Sequence, residues 1–261
     1  MIITKNAKII KMSKKIEISR NVFAINLSIY LREHKTLILS DFHIGLEEAL
    51  QKQGFLIPRF QLKNIVNNLN EIFEILKNNK FDVERIVING DLKHEFGTIS
   101  DQEWRDTLKI IDFLKEKSQE IVLIKGNHDT ILGPIASKKN ISLVENLILD
   151  SNLITHGDRI PEEAKGNKIK RVIIGHEHPT ISLREGIRVE KFKAFLVGKW
   201  KKKELIAMPS FCFVTEGTDI LREELLSPFL KENDIKKFKV IIYEDELYNF
   251  GTIEKILNVI D

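Results

Sequence analysis

The chain has 261 residues, 43% of them hydrophobic, with 41 basic against 38 acidic side chains and a formal net charge of only +3. This excludes a disordered chain and a nucleic-acid binder that works through a strong global field, so any basic patch must be local. A lone cysteine, Cys212, excludes an internal disulfide framework and any Cys-based metal cluster, and it points to a reducing compartment, the cytoplasm.

Lysines interrupt the first twenty residues before an apolar run reaches signal-peptide length, and no later run is long enough to cross a bilayer. No membrane partner is expected. With no repeat, low-complexity tract or Pro/Gly-rich linker, residues 1–261 read as a single domain, with a core at about 36–180 and a β-rich part at about 181–261.

In chain order, the runs IEIS and NVFAINLSIYL read as N-terminal strands. Five apolar runs then end at once in polar residues: TLILSDFH, RIVINGD, EIVLIKGNHD, NLITHGD and RVIIGHEH. Between the first two, Ile65, Leu69, Ile72, Phe73 and Leu76 recur at helical spacing over residues 60–79. Ser100 with Glu103 forms a capping-box pattern at the start of a second helix, whose apolar side is Leu108, Ile110, Ile111 and Leu114. Alternating strands and helices make this an α/β chain, and polar groups at the carboxyl ends of such strands converge on one crevice. After residue 180 the runs FKAFLVGKW, KELIAMPSFCF and FKVIIYEDELYNFGTI read as antiparallel strands, which the N-terminal runs are expected to join.

The chemistry sits at the five strand ends: Asp41-Phe42-His43, Gly90-Asp91, Gly126-Asn127-His128-Asp129, His156-Gly157-Asp158 and Gly175-His176-Glu177-His178. Taken singly, each His or Asp is more often a satisfied buried polar group or a loop residue. Together they form a mixed oxygen and nitrogen donor set without thiolate, which suits Mn, Fe, Zn or Ni. Glycines beside them let the backbone turn close to a ligand. Of the seven histidines, only His34 and His94 fall outside these motifs.

In this order the segments resemble the signature of the calcineurin-like metallophosphoesterases: D-x-H, G-D, G-N-H-[DE], a lone His and G-H-x-H. The resemblance implies a four-layer sandwich of two mixed sheets flanked by helices. It also implies two divalent metal ions, Mn foremost. Asp41, His43, Asp91 and His178 would hold one, and Asp91, Asn127, His156 and His176 the other. Two such ions clamp a phosphate and activate a water as nucleophile. His128 resembles the proton donor to the leaving group, with Asp129 setting its tautomer.

Around LILSDFHIGLE, GFLIPRFQ, GDLKHEF, GHEHPTI and MPSF the chain is similar to a narrower group, the DNA-ligase-associated phosphoesterases and relatives of double-strand-break repair nucleases. That implies a phosphodiester substrate, a nucleotide, cyclic nucleotide or nucleic acid, and association with DNA-processing proteins. A phosphomonoesterase is the nearest alternative, and a non-enzymatic metal-holding scaffold is another. The chain is too short for those nucleases' capping domain and coiled coil, and it has Asp158 where a second His often stands. Lys93, His94 and Arg159 are weighed as phosphate contacts against capped loop or surface residues. The run Lys199-Trp200-Lys201-Lys202-Lys203, near Lys191-Phe192-Lys193, mixes cations with aromatics as single-strand binders do, although a solvated hairpin tip is the plainer reading. Cys212 reads as a small buried hydrophobe.

Overall fold

Five short runs of continuous apolar residues each serve two cores at once. In the computed structural model, which describes residues 10–97, 99–185 and 188–260, alternate side chains of every run point to opposite faces of a sheet. Leu37 and Leu39, Ile86 and Ile88, and Ile121 and Leu123 pack on one face. Ile38, Val87, Val122 and Ile124 face the other way, into a layer shared with Ile154, Ile173, Phe195 and Ile206. Leu153, Val172, Ile174 and Leu205 line a third cluster beyond.

The first sheet has seven strands. Lys15–Ser19, Val22–Ile25, Ser28–Leu31 and Thr36–Leu39 form an antiparallel meander. Arg85–Asn89, Glu120–Ile124 and Ser142–Val144 then add in parallel to Thr36–Leu39. In the second, ten-stranded sheet, Asn152–Thr155, Arg171–Ile174 and Lys203–Ala207 run parallel. Antiparallel strands flank them, among them the long Arg188–Trp200, which pairs with Pro179–Glu185, Lys203–Ala207 and Lys239–Glu244.

The helices Gln61–Asn78 and Asp101–Lys115 cover the outer face of the first sheet through Ile65, Leu69, Ile72, Ile110, Ile111 and Leu114. Trp200, Phe229, Phe238 and the helix Ile253–Ile260, through Ile253 and Ile256, cover the second sheet. Helix, sheet, sheet, helix is the expected four-layer sandwich.

The N-terminal runs correct one expectation. IEIS pairs with Val22–Ile25, and NVFAINLSIYL reaches Thr36–Leu39 through Ser28–Leu31, so both lie in the first sheet and not with the C-terminal strands of the second. Alternation shows that a segment is a strand but not which edge accepts it, and here a tight meander makes the local pairing the nearest one. Only Ile10–Ser13 crosses over, pairing with Glu246–Thr252.

The second helix starts as its pattern predicts, at Ser100. Ser100 Oγ accepts the Glu103 N–H at 3.1 Å. The Glu103 carboxylate also reaches beyond the helix: its Oε1 accepts from the N–H groups of His94, at 2.8 Å, and Glu95, at 3.0 Å. These contacts tie the helix to the loop after Asp91. Among the described residues no helix is long and apolar enough to cross a membrane.

Candidate metal centre

Three ligand-bearing strand ends come from the first sheet, at Leu39, Asn89 and Ile124, and two from the second, at Thr155 and Ile174. They meet at the seam between the sheets. The first two continue to pair beyond their strands: Asp41 N–H donates to Gly90 O, His43 N–H to Asp91 O, Ile44 N–H to Leu92 O and His94 N–H to Ile44 O, all within 3.1 Å. On the other side, Gly175 N–H donates to His156 O at 2.8 Å.

Each two-ligand motif turns one side chain inward between its ligands. Phe42 separates Asp41 from His43 and is buried against Phe211, with ring centroids 4.9 Å apart. Glu177 separates His176 from His178, and its buried Oε2 accepts the N–H groups of Leu226 and Ser227 at 2.9 and 2.8 Å. The turn that aims both ligands at the seam is strained: Asp41, His43, Asp91, His176 and His178 all have φ between +46° and +61°. Left-handed backbone in non-glycine residues clusters where function over-determines it.

Two groups of ligands result. Asp41, His43 and His178 bring one donor atom each within 4.8 Å of one another, as do Asp91, His156 and His176. Asn127 joins the second group, with Oδ1 2.9 Å from His156 Nε2. Asp91 lies between the groups, its Oδ2 3.4 Å from His156 Nε2 and 3.7 Å from His43 Nε2. This is the placement a shared carboxylate needs. Glycines make room for it: a Cβ on Gly126 would overlap the Asp91 carboxylate, and one on Gly90 the His156 ring.

The donors fit divalent cations. His43 Nε2 faces His178 Nε2 at 3.4 Å and His156 Nε2 faces His176 Nδ1 at 3.2 Å, and a cation satisfies such converging lone pairs where a single proton cannot serve all of them. Burial, reinforced by His178, pushes the His43 imidazole down to about 3, and burial with His156 lowers His176. Burial would lower His156 too, but its hydrogen bond to Asp91 and the charges of Asp41 and Asp91 push it up to about 9, a proton that a bound cation would replace. Burial alone would raise the Asp91 carboxyl, but hydrogen bonding and charge from His156 and the charge of His43 hold it below the usual carboxylate range.

His128 is fixed from three directions beside this site. Its N–H donates to Asp91 Oδ1 at 2.9 Å, its carbonyl accepts from Lys93 Nζ at 2.7 Å, and its ring Nδ1 lies 2.5 Å from the His94 carbonyl. A carbonyl only accepts, so Nδ1 carries the proton and Nε2 is left for chemistry. The sequence reading gave Asp129 this orienting role. The buried Asp129 carboxyl instead takes up the backbone N–H groups of Gly126, Leu92 and Lys93 at 3.0 to 3.4 Å, and burial, with Asp91 adding, pushes it up to about 7. It shapes the loop and not the imidazole.

The three weighed phosphate contacts separate. Lys93 is fully buried and not at the rim, with its ammonium held by the carbonyls of His128 and Glu95. Arg159 is on the exposed surface, ion-paired with Glu145. His94 does enter the site: its Nδ1 is 3.5 Å from His43 Nδ1, and with His43 and His128 it forms a third compact group. The aromatic and basic run is a hairpin tip. Trp200 is buried in the core with Nε1 donating to Glu232, Lys203 binds the carbonyls of Gly166 and Ile169, and Phe192 is buried. Neither ring is free to stack on a base. Cys212 is buried and free, as expected.

Two contributors escaped the sequence reading. Ser40 Oγ donates to Asp41 Oδ2 at 2.6 Å, and Ser40 O accepts from Phe211 N–H, which ties the MPSF loop to the first motif. Lys193 Nζ binds Ser210 Oγ at 2.6 Å and the carbonyls of Thr215 and Glu216, and burial pushes its ammonium down to about 8. Ser40 adjoins a motif and was open to notice; Lys193 was named only as part of a basic run, and what marks it in the fold is an ammonium fixed by three oxygens.

Helices outside two sheets, with a paired His/Asp centre at the strand ends between them, define a metallophosphoesterase. The family model for calcineurin-like phosphoesterases matches residues 34–236, and the chain belongs to that family. Among solved structures, the Pseudomonas putida nuclease MPE is similar at 17% identity, with 91% of this chain and all of that chain covered and a TM-score of 0.62. The Escherichia coli phosphoesterase Yfce aligns at 12% identity over 80% of this chain and 88% of its own, with a TM-score of 0.37. Zinc-bound Vps29 from Entamoeba histolytica aligns at 14% over 83% and 99%, with a TM-score of 0.36. No curated protein sequence matches the chain.

Proposed function

We propose that this chain hydrolyses a phosphodiester, a nucleotide, cyclic nucleotide or nucleic acid, with two divalent cations. Asp41, His43, Asp91 and His178 would hold one and Asp91, Asn127, His156 and His176 the other. The observation that carries the reading is His128, fixed at the edge of the ligand groups with Nε2 free. When bound, the cations neutralise the phosphoryl oxygens and activate water. Everything else falls to the chain itself. Asp91 aligns His128 through its N–H, and Lys93 and the His94 carbonyl hold the residue. As the imidazolium, with its Nδ1–H kept on the His94 carbonyl, His128 gives its Nε2 proton to the leaving oxygen and is left as the neutral Nδ1–H ring. A scaffold that only holds metal has no use for such an imidazole.

Manganese suits the mixed carboxylate, carboxamide and imidazole set, with iron, zinc or nickel as alternatives. The diester preference rests on the resemblance to DNA-ligase-associated phosphoesterases. Partners that process DNA and a cytoplasmic setting belong to the same proposal. The deciding experiment loads the protein with Mn, Zn, Fe or Ni in turn and compares a chromogenic diester, its monoester, cyclic nucleotides and short DNA and RNA. Diester turnover at least about tenfold above the monoester, a difference of ~1.4 kcal/mol in barrier, supports the proposal. The reverse order makes the chain a monoesterase, and inertness to every ester makes it a scaffold.

A further inference from the structure

Phe96 lies on the loop that follows Asp91, and its side chain is 57% exposed although the backbone around it is pinned. The N–H groups of His94 and Glu95 are bound by Glu103 Oε1, Lys93 Nζ binds Glu95 O, and Gly97 N–H donates to Thr130 Oγ1 at 3.1 Å. A single exposed apolar side chain needs no explanation in itself. Leu56 and Phe55 are exposed too, on the stretch that lines a separate surface hollow with Gln51, Ile57 and Pro58.

Phe96 differs in what it touches. Its ring centroid is 3.8 Å from that of His128. The His128 ring in turn stacks on His94 at 5.2 Å and meets His43 edge-on at 5.0 Å. A series of rings therefore runs from a metal ligand, past the proton donor, to a phenyl group at the solvent. His128 stands where the leaving oxygen departs, so whatever that oxygen carries emerges beside Phe96.

We propose that Phe96 is a specificity-determining residue whose open face stacks on a planar ring carried by the leaving group, a nucleobase or an aryl group. The proposal rests on the phosphoester-hydrolase reading with His128 on the leaving-group side. Every base or aryl ring has a π-face for such a platform, and an aliphatic leaving group has none. Stacking of this kind is worth on the order of tenfold to a hundredfold in affinity. The backbone pinning supplies the preorganisation, because a ring already held in place loses little entropy on binding.

The test measures kcat and KM on the manganese-loaded chain for a dinucleotide, a p-nitrophenyl diester and a glycerol diester, with wild type, Phe96→Ala, Phe96→Leu and Phe96→Trp. The expected result is a preference for the planar leaving groups that falls about tenfold or more in Phe96→Ala and Phe96→Leu, through KM, and is kept in Phe96→Trp. The dinucleotide and p-nitrophenyl arms show which kind of ring is favoured. In Phe96→Trp, adenosine monophosphate should quench the fluorescence of the introduced indole and glycerol phosphate should not. Equal losses on all three diesters, or no quenching, overturn the proposal. If wild type cleaves only monoesters, the diester reading fails alone, and the same ratio is read on nucleoside and glycerol monophosphates. If it cleaves nothing, the quenching decides.

Discussion

The imidazole Nδ1 of His128 lies 2.5 Å from the main-chain carbonyl of His94, so the loop after Asp91 keeps a proton on that nitrogen. Replacing His128 by Ala removes the donor and no member of the two ligand groups. The expected outcome is a kcat lower by roughly 10²–10⁴-fold with metal stoichiometry unchanged, measured by elemental analysis and steady-state kinetics. Loss of metal along with activity would show that His128 is a ligand.

In the proposed assignment Asp91 is the group both ions share. Asp91→Ala should abolish turnover and the metal content together. Wild type should gain thermal stability when metal is added and lose it with a chelator. At about a hundred times Kd the gain is about 2.7 kcal/mol, and calorimetry with and without chelator should find none in Asp91→Ala.

Gly126 tests the packing around that carboxylate. Its Cβ would overlap Asp91 Oδ1, whereas a Cβ on Gly133 meets nothing within 4 Å. Gly126→Ala should lose metal binding while keeping its circular dichroism spectrum, and Gly133→Ala, on the helix Gly133–Lys139, should bind metal as wild type does. Equal metal affinity in the two variants refutes the steric argument.

Lys93 is the strut beneath the donor. Lys93→Met leaves the His128 and Glu95 carbonyls without their buried partner, which costs about 1–3 kcal/mol of stability. Urea denaturation should register this loss, and kcat should fall while metal content holds. An unchanged midpoint would mean that water takes over both carbonyls.

Tyr30 offers a pH test away from the centre. Its hydroxyl donates to Asp82 O at 2.5 Å, and burial, with the charge of Asp82, pushes the phenol up to about 12. Between pH 10 and 12 the unfolded chain loses this proton while the folded chain keeps it, so the contribution is complete below pH 10 and is lost as pH rises to 12. Tyr30→Phe should cost about 1 kcal/mol at pH 8, and the gap from wild type should close at pH 11 to 12. A gap that is constant with pH in paired urea titrations would contradict this.

Much of the centre was legible because its chemistry is local in sequence. Each motif follows an apolar run, and the runs are long enough to be strands and short enough to end where the ligands begin. The outer helices were legible for a similar reason, since Ile65, Leu69 and Ile72 keep a helical period whatever they pack on. What could not be read depends on pairing at a distance. The N-terminal meander joins the first sheet because Ser28–Leu31 finds Thr36–Leu39, a choice that strand alternation leaves open. Glu103 Oε1 takes the loop N–H groups of His94 and Glu95, which no helix pattern foretells. The His128 ring meets the His94 carbonyl and not Asp129, and a backbone oxygen has no letter in the sequence.

By itself the sequence determined the donor set: which carboxylates, imidazoles and carboxamide exist, in what order, and that each stands at a strand end beside a glycine or a turn. Only the tertiary structure decided which donors share a group, that Asp91 lies between the two, that Lys93 is buried under His128 while Arg159 faces solvent, and that Phe96 caps the row of rings. The physical reason is that ligand identity is a property of side chains, whereas convergence depends on two sheets packing face to face, through Val87, Val122, Ile173 and Ile206, so that five strand ends meet at one seam.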